Sequence, residues 1–104
     1  MASIKVNYIS LNKFIKENEI KAIEFLNKNE FNCAEKVLKE NLEVQTASSL
    51  TYDLLIKIHT SKKDYSGLIN TLNTAIKNTD RSPLYRKLRK EIILSKLLCD
   101  INQV

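Results

Sequence analysis

Lys28-Asn29-Glu30-Phe31-Asn32-Cys33-Ala34 and Lys62-Lys63-Asp64-Tyr65-Ser66-Gly67-Leu68 are the two stretches that decide how this chain folds. Each runs from a lysine through a polar turn to an acidic residue and an aromatic, with a small or apolar residue three places further on. They lie 34 positions apart, and the offset extends outward from them. Ile20, Leu54 and Leu88 share one column, as do Lys28, Lys62 and Lys96. Leu38/Leu72, Leu42/Ile76, Ser48/Ser82, Leu50/Leu84, Ile58/Ile92 and Ser61/Ser95 keep the same spacing. A period of this length marks stacked helical units, each leaving an apolar face that its neighbour covers.

The spacing of apolar residues between these columns is helical. Leu11, Phe14, Ile15, Ala22, Phe25 and Leu26 predict a first helix from about residue 10 to 29, with a break near Asn18. Residues 1–9 alternate as Ile4, Val6 and Tyr8; a lone strand would have no partner, so they read as a lead-in. Phe31, Ala34, Val37, Leu38 and Leu42 predict a second helix ending near Gln45, and Ser48 or Ser49 offers a capping hydroxyl to a third. That helix carries Leu50, Leu54, Leu55, Ile58 and His59 and closes on Lys62 and Lys63, where cations favour the negative helix end. Asp64 opens a fourth helix, with Tyr65, Leu68, Ile69, Leu72 and Ile76 inward and an end near Asn78. Ser82-Pro83 opens a fifth, running to about Asp100. One glycine and one proline in 104 residues leave little punctuation for a hairpin-rich sheet, so the expected class is all-α, with about five antiparallel helices in one domain.

Composition bounds function. A hydrophobic share of 43% and a charged share of 28% are near globular averages, which argues against disorder. No apolar run approaches the roughly 20 residues of a membrane helix, and the N-terminus lacks a secretory h-region, so the expected compartment is the cytoplasm, with no membrane partner. Cys33 and Cys99 form no metal spacing and read as small core hydrophobes. The formal net charge of +5 invites a nucleic-acid reading, but the Lys, Asn and Ile bias of an AT-rich genome yields positive charge without selection for binding.

With an aromatic opening the second helix of each 34-residue unit, the chain resembles the tetratricopeptide repeat over about residues 16–100. The register gives a first repeat at about 16–49, a second at about 50–83 and a capping helix at about 84–100. Ala22 and Ile56 stand where the family favours glycine, and Thr46 and Asp80 where it favours proline. The resemblance implies an α–α superhelix whose first helices line a groove for a partner's peptide or amphipathic helix. It places Glu19, Ile23, Leu26, Asp53, Lys57, Thr60, Lys87, Glu91 and Leu94 there. The family's clamp for an acidic tail needs Lys, Asn and Arg at positions held here by Glu19, Ile23, Leu54, Leu84 and Leu88. The implied occupant is therefore an apolar or amphipathic segment, and the implied role that of an adaptor or small chaperone.

The remaining signals weigh against chemistry. His59 has no nucleophile motif or second ligand at a useful spacing, and its period partner is the apolar Phe25, so it reads as a packed structural histidine. A single glycine excludes a phosphate loop. No metal, cofactor or catalytic residue is expected, and the protein reads as a non-enzyme. Arg81, Arg86, Arg89 and Lys90 form a basic patch that includes every arginine; it fits a solvated cap or, as the alternative function, a helical nucleic-acid binder. The stretch from Ile92 to Ile101 is apolar around too much of the helix for one buried stripe, leaving Ile93, Leu97 and Ile101 either for a second copy or another protein or to be covered by the N-terminal ten residues folding across them.

Overall fold

The computed structural model describes residues 2–102 of the chain, with side-chain environments for 10–100. It consists of α1 (Ala2–Asn27), α2 (Phe31–Glu43), α3 (Ser49–Lys62), α4 (Tyr65–Asn78) and α5 (Ser82–Asn102), with no strand among the described residues. The all-α expectation holds, and α2 to α5 fall within about two residues of their predicted limits.

Helix α1 departs from the sequence reading at two points. It begins at Ala2, so the segment read as a lead-in is helical. Nothing from Ala2 to Ser10 is a glycine or proline, and extending a helix that is already nucleated adds a hydrogen bond for each residue fixed. It also runs unbroken through Asn18, whose amide is buried in a bond to the facing helix α2 instead of competing for its own backbone. At the other end of the chain Ser82 is the first residue of α5 and Pro83 the second. Proline fits there equally well, because none of the first four N–H groups has an intrahelical acceptor.

The 34-residue offset reappears as geometry. After α1, Asn29 takes a left-handed φ of 59°; after α3, Lys63 takes one of 56°. Glu30 N–H donates to Phe25 C=O at 2.8 Å, and Asp64 N–H to His59 C=O at 2.9 Å. Asn29 to Leu26 (3.0 Å) repeats as Lys63 to Thr60 (3.1 Å), and Ala34 to Glu30 (3.1 Å) as Leu68 to Asp64 (3.0 Å). The left-handed residue with a bond reaching five residues back is a Schellman ending, which satisfies carbonyls the helix end would orphan. The connections after α2 and α4 differ: Gln45 is left-handed at φ 54°, whereas Thr79 is extended. The helical hairpin recurs; the link between hairpins does not.

Burial follows the same period on the second helix of each hairpin, where Ala34, Leu38 and Asn41 are matched by Leu68, Leu72 and Ala75, all buried. Helix α2 packs on α1 and α4 on α3, while α3 also touches α1 and α2, and α5 packs on α4. One core cluster, of Ala22, Ala34, Leu38, Leu55 and Ile58, lies where α3 meets the first hairpin. The other, of Tyr52, Leu68, Leu72, Ala75 and Tyr85, lies where α5 meets the second. Leu42 packs against both. The result is a flat array of 60 × 31 × 16 Å.

Candidate interaction surface

A buried polar network ties α1 to the start of α3. Asn18 Nδ2 donates to Asn41 Oδ1 at 3.0 Å, and Asn41 Nδ2 donates to Ile15 C=O at 3.0 Å and to Thr51 Oγ1 at 3.1 Å. The Thr51 hydroxyl donates onward to Glu19 Oε2 at 2.7 Å, and the Ser48 hydroxyl reaches the same oxygen at 2.5 Å. Asn41 and Thr51 are fully buried, so each of these bonds removes a desolvation cost of about 1–3 kcal/mol. Ser48 does occupy the N-cap of α3, but its hydroxyl serves Glu19 and makes no cap bond. Thr46 Oγ1 accepts from Ser48 N–H at 3.0 Å, and Thr46 C=O accepts from the Tyr52 hydroxyl at 2.7 Å, which fixes the α2–α3 link. Burial raises the Tyr52 phenol above its ordinary pKa, so it stays protonated and holds that bond.

Above this network lies a groove of about 570 Å³ between α1 and the α2–α3 link. Leu11, Ile15, Ile20 and Ile23 form one wall, Val44 and Leu50 the other, and Glu19 lies between them. Ile20, Ile23, Val44 and Leu50 are all substantially exposed, so apolar carbon faces water along both walls. Of the residues expected to line the interaction groove, Ile23 does so openly. Glu19 is buried among its hydroxyl donors, and Leu26 packs against the first core cluster, where its carbon is committed to the fold. Val44, Ile20 and Leu50 were not among the expected lining residues. Ile20 and Leu50 are period positions whose partners are Leu54 and Leu84, a signal the sequence offered.

A second depression, of about 300 Å³, lies between α3 and α5 and joins Asp53, Lys87 and Glu91 with Leu84 and Leu88. The Tyr85 hydroxyl anchors it, donating to Asp53 Oδ1 at 2.8 Å; burial and that carboxylate push the phenol far above its ordinary range. Lys57, Thr60 and Leu94 are exposed but line neither depression. In the basic patch Arg81, Arg86 and Lys90 are exposed, whereas Arg89 is half-buried and donates to Asn73 Oδ1 at 2.6 Å, tying α5 back to α4. Ile93 and Leu97 are exposed, as are Leu94 and Leu98; the Ile101 side chain lies outside the described residues.

His59 is buried, as its period position implied, and Nδ1 stands 3.3 Å from Asp64 Oδ2 without hydrogen-bond alignment. Asp64 caps α4 by accepting from Gly67 N–H at 3.0 Å. The imidazole lies so close to the α4 backbone that a β-carbon on Gly67 would stand 2.6 Å from Nδ1 and 2.7 Å from Cε1, which accounts for the chain's one glycine. On α2, Glu35 is clasped by Lys39 at 2.7 Å and by Lys62 of α3 at 2.6 Å. The Lys39 bond, then the Lys62 bond, lower its carboxyl from the ordinary 4.5 to about 2. Cys33 and Cys99 are exposed, not core residues, and form no disulfide; the turn that starts α2 leaves position 33 on its outer side. Among the described residues no cluster of His, Cys, Asp or Glu has the grouping of a metal site, and no helix is long and apolar enough to cross a membrane. Compared with known proteins, the chain matches no family model, no curated protein and no solved structure.

Proposed function

We propose that this chain is a non-catalytic protein–protein interaction module of the tetratricopeptide type, an adaptor or small cytoplasmic chaperone, whose α1 groove takes the apolar side of a partner's helix or extended segment. One observation carries the reading: the groove of about 570 Å³ has Ile20, Ile23, Val44 and Leu50 exposed along its walls. Exposed apolar side chains gathered in a concavity gain about 25 cal/mol for each Å² that a partner covers, whereas scattered ones gain nothing specific. The buried network beneath keeps the two walls at a fixed separation, so little ordering cost falls on binding. Among the lining residues Lys16 is the cation and Glu19, held by its hydroxyl donors, the anion.

The nucleic-acid alternative draws less support. Arg89 is spent on Asn73, Lys39 and Lys62 on Glu35, and Lys96 pairs with Asp100 at 3.4 Å, which leaves Arg81, Arg86, Lys87 and Lys90 as a small exposed group at the start of α5. Such a set gives weak, salt-sensitive binding to any duplex.

The groove is tested by affinity capture with the intact chain, compared with Ile23→Asp and with Ile93→Asp at the far end of the array. A partner lost with the first variant and kept with the second supports the reading. A partner retained by Ile23→Asp, with helical circular dichroism unchanged, overturns it.

A further inference from the structure

We propose that the outer face of α5 pairs antiparallel with α5 of a second copy of this chain, about a two-fold axis that sets Ile93 against Leu97 and Lys90 against Asp100. This surface is separate from the α1 groove and does not depend on it.

Among the described residues, helix α5 is covered on one side. Tyr85, Leu88 and Ile92 pack toward α4, and Arg89 is bonded to it. At 1.5 Å per residue, the 21 residues of α5 outrun the 14 of α4 by about 10 Å. Tyr65, the first residue of α4, lies with its ring 5.9 Å from Lys96 Nζ, so residues beyond Lys96 extend past the end of the neighbouring helix. On that overhang Leu97 is 52% exposed and Leu98 60% exposed. Two apolar side chains on an isolated helical end are an unfavourable exposure unless something covers them.

The charges say what covers the side of α5 that carries Leu97. Lys90, Ile93, Leu97 and Asp100 follow one another at steps of three, four and three residues, so they share one face of the helix. Their order is a cation, two apolar residues and an anion. Turned end over end onto itself, the set is complementary: Ile93 meets Leu97 twice, and Lys90 meets Asp100 twice. A parallel pairing would place Lys90 on Lys90 and Asp100 on Asp100. An isologous two-fold contact requires this self-complementarity, whereas a surface for an unrelated partner does not. Asp100 is already 3.4 Å from Lys96, and one carboxylate can accept from both lysines. The face lies beside, and leaves free, the side of α5 that carries Lys87 and Glu91 toward α3.

A contact about three turns long belongs to the low-area class of weak association. Sedimentation of the full chain over about 5–500 µM therefore shows an average mass climbing from 12.0 kDa toward twice that value. Leu97→Glu holds it at the monomer with unchanged helical circular dichroism. Lys90→Glu alone or Asp100→Lys alone moves the midpoint about tenfold higher, and the two together restore it to within about threefold. A monomer throughout the series, a dimer indifferent to Leu97→Glu, or a double reversal no better than either single one overturns the proposal. Because charge reversal leaves the exposed helix intact, misfolding does not mimic the restoration.

Discussion

Replacing Gly67 by alanine places two opposing effects at one position, and the structure decides between them. In an exposed helix the change favours folding by about 1 kcal/mol, since alanine has the higher propensity and a narrower unfolded ensemble. Here the new β-carbon stands 2.6 Å from His59 Nδ1 and 2.7 Å from Cε1, with the Asp64 carboxylate on its other flank. The imidazole is buried, so relief requires a shift of the ring, of the Asp64 carboxylate or of the α4 backbone. Overpacking of this kind costs about 1–3 kcal/mol, and moving Asp64 adds part of a cap worth about 1 kcal/mol. The net expectation is a loss of about 1–2 kcal/mol, a fall of roughly 5–15 °C in melting temperature for a domain of this size. Thermal unfolding followed by circular dichroism measures it. Repeating the substitution in a His59→Ala background removes the ring's share of the clash and leaves that with Asp64, so the cost of the same change shrinks toward zero. A Gly67→Ala protein that melts at or above the parent would refute the packing of His59 against α4.

Two further perturbations probe other contacts. Asn41→Leu keeps the side-chain volume but takes one buried bond each from Asn18, which keeps Glu40 at 3.3 Å, from Thr51, which keeps Glu19, and from the Ile15 carbonyl, and should cost about 1–3 kcal/mol in urea unfolding; a loss below about 0.5 kcal/mol would mean that the network is replaceable. Glu35 is held at about 2 in the folded state, so its ion pairs stabilise the fold above the unfolded carboxyl range, and that stability is lost as pH falls from about 4.5 toward 2. Glu35→Gln removes about 1–2 kcal/mol at neutral pH, and melts recorded from pH 5 down to 2 should show the gap to the parent closing; a gap that stays constant would sink the assignment.

The fold was legible where local chemistry and long-range spacing agreed. The turn at Asn29 and its counterpart at Lys63 carry the same polar and aromatic surroundings because both must end a helix and start another within a few residues. Ser82-Pro83 announced α5 for a similarly local reason. The errors fall where the deciding partner is distant in sequence. Asn18 looks like a helix breaker until Asn41 is opposite it, and Ser48 looks like a cap until Glu19 claims its hydroxyl. Glu19 and Leu26 share a register with Ile23, yet Glu19 is buried and Leu26 half-buried against the core while Ile23 stays open. Register alone carries no rotation. The apolar excess of Ile92 to Ile101 was visible in the sequence, but that α5 overhangs α4 depends on the relative lengths of two packed helices. The outer groove wall of Val44 and Leu50 depends on the path of a loop that differs from its counterpart one period later.

Leu42 touches both oily clusters, and its position near the end of α2 makes it the knot between the core shared by the two hairpins and the core under α5. Loosening begun at the α5 edge therefore has a natural stopping place: Tyr85 and Leu72 can let go before Ala34 and Leu38 feel it, but nothing can let go on both sides of Leu42 without the whole array coming apart.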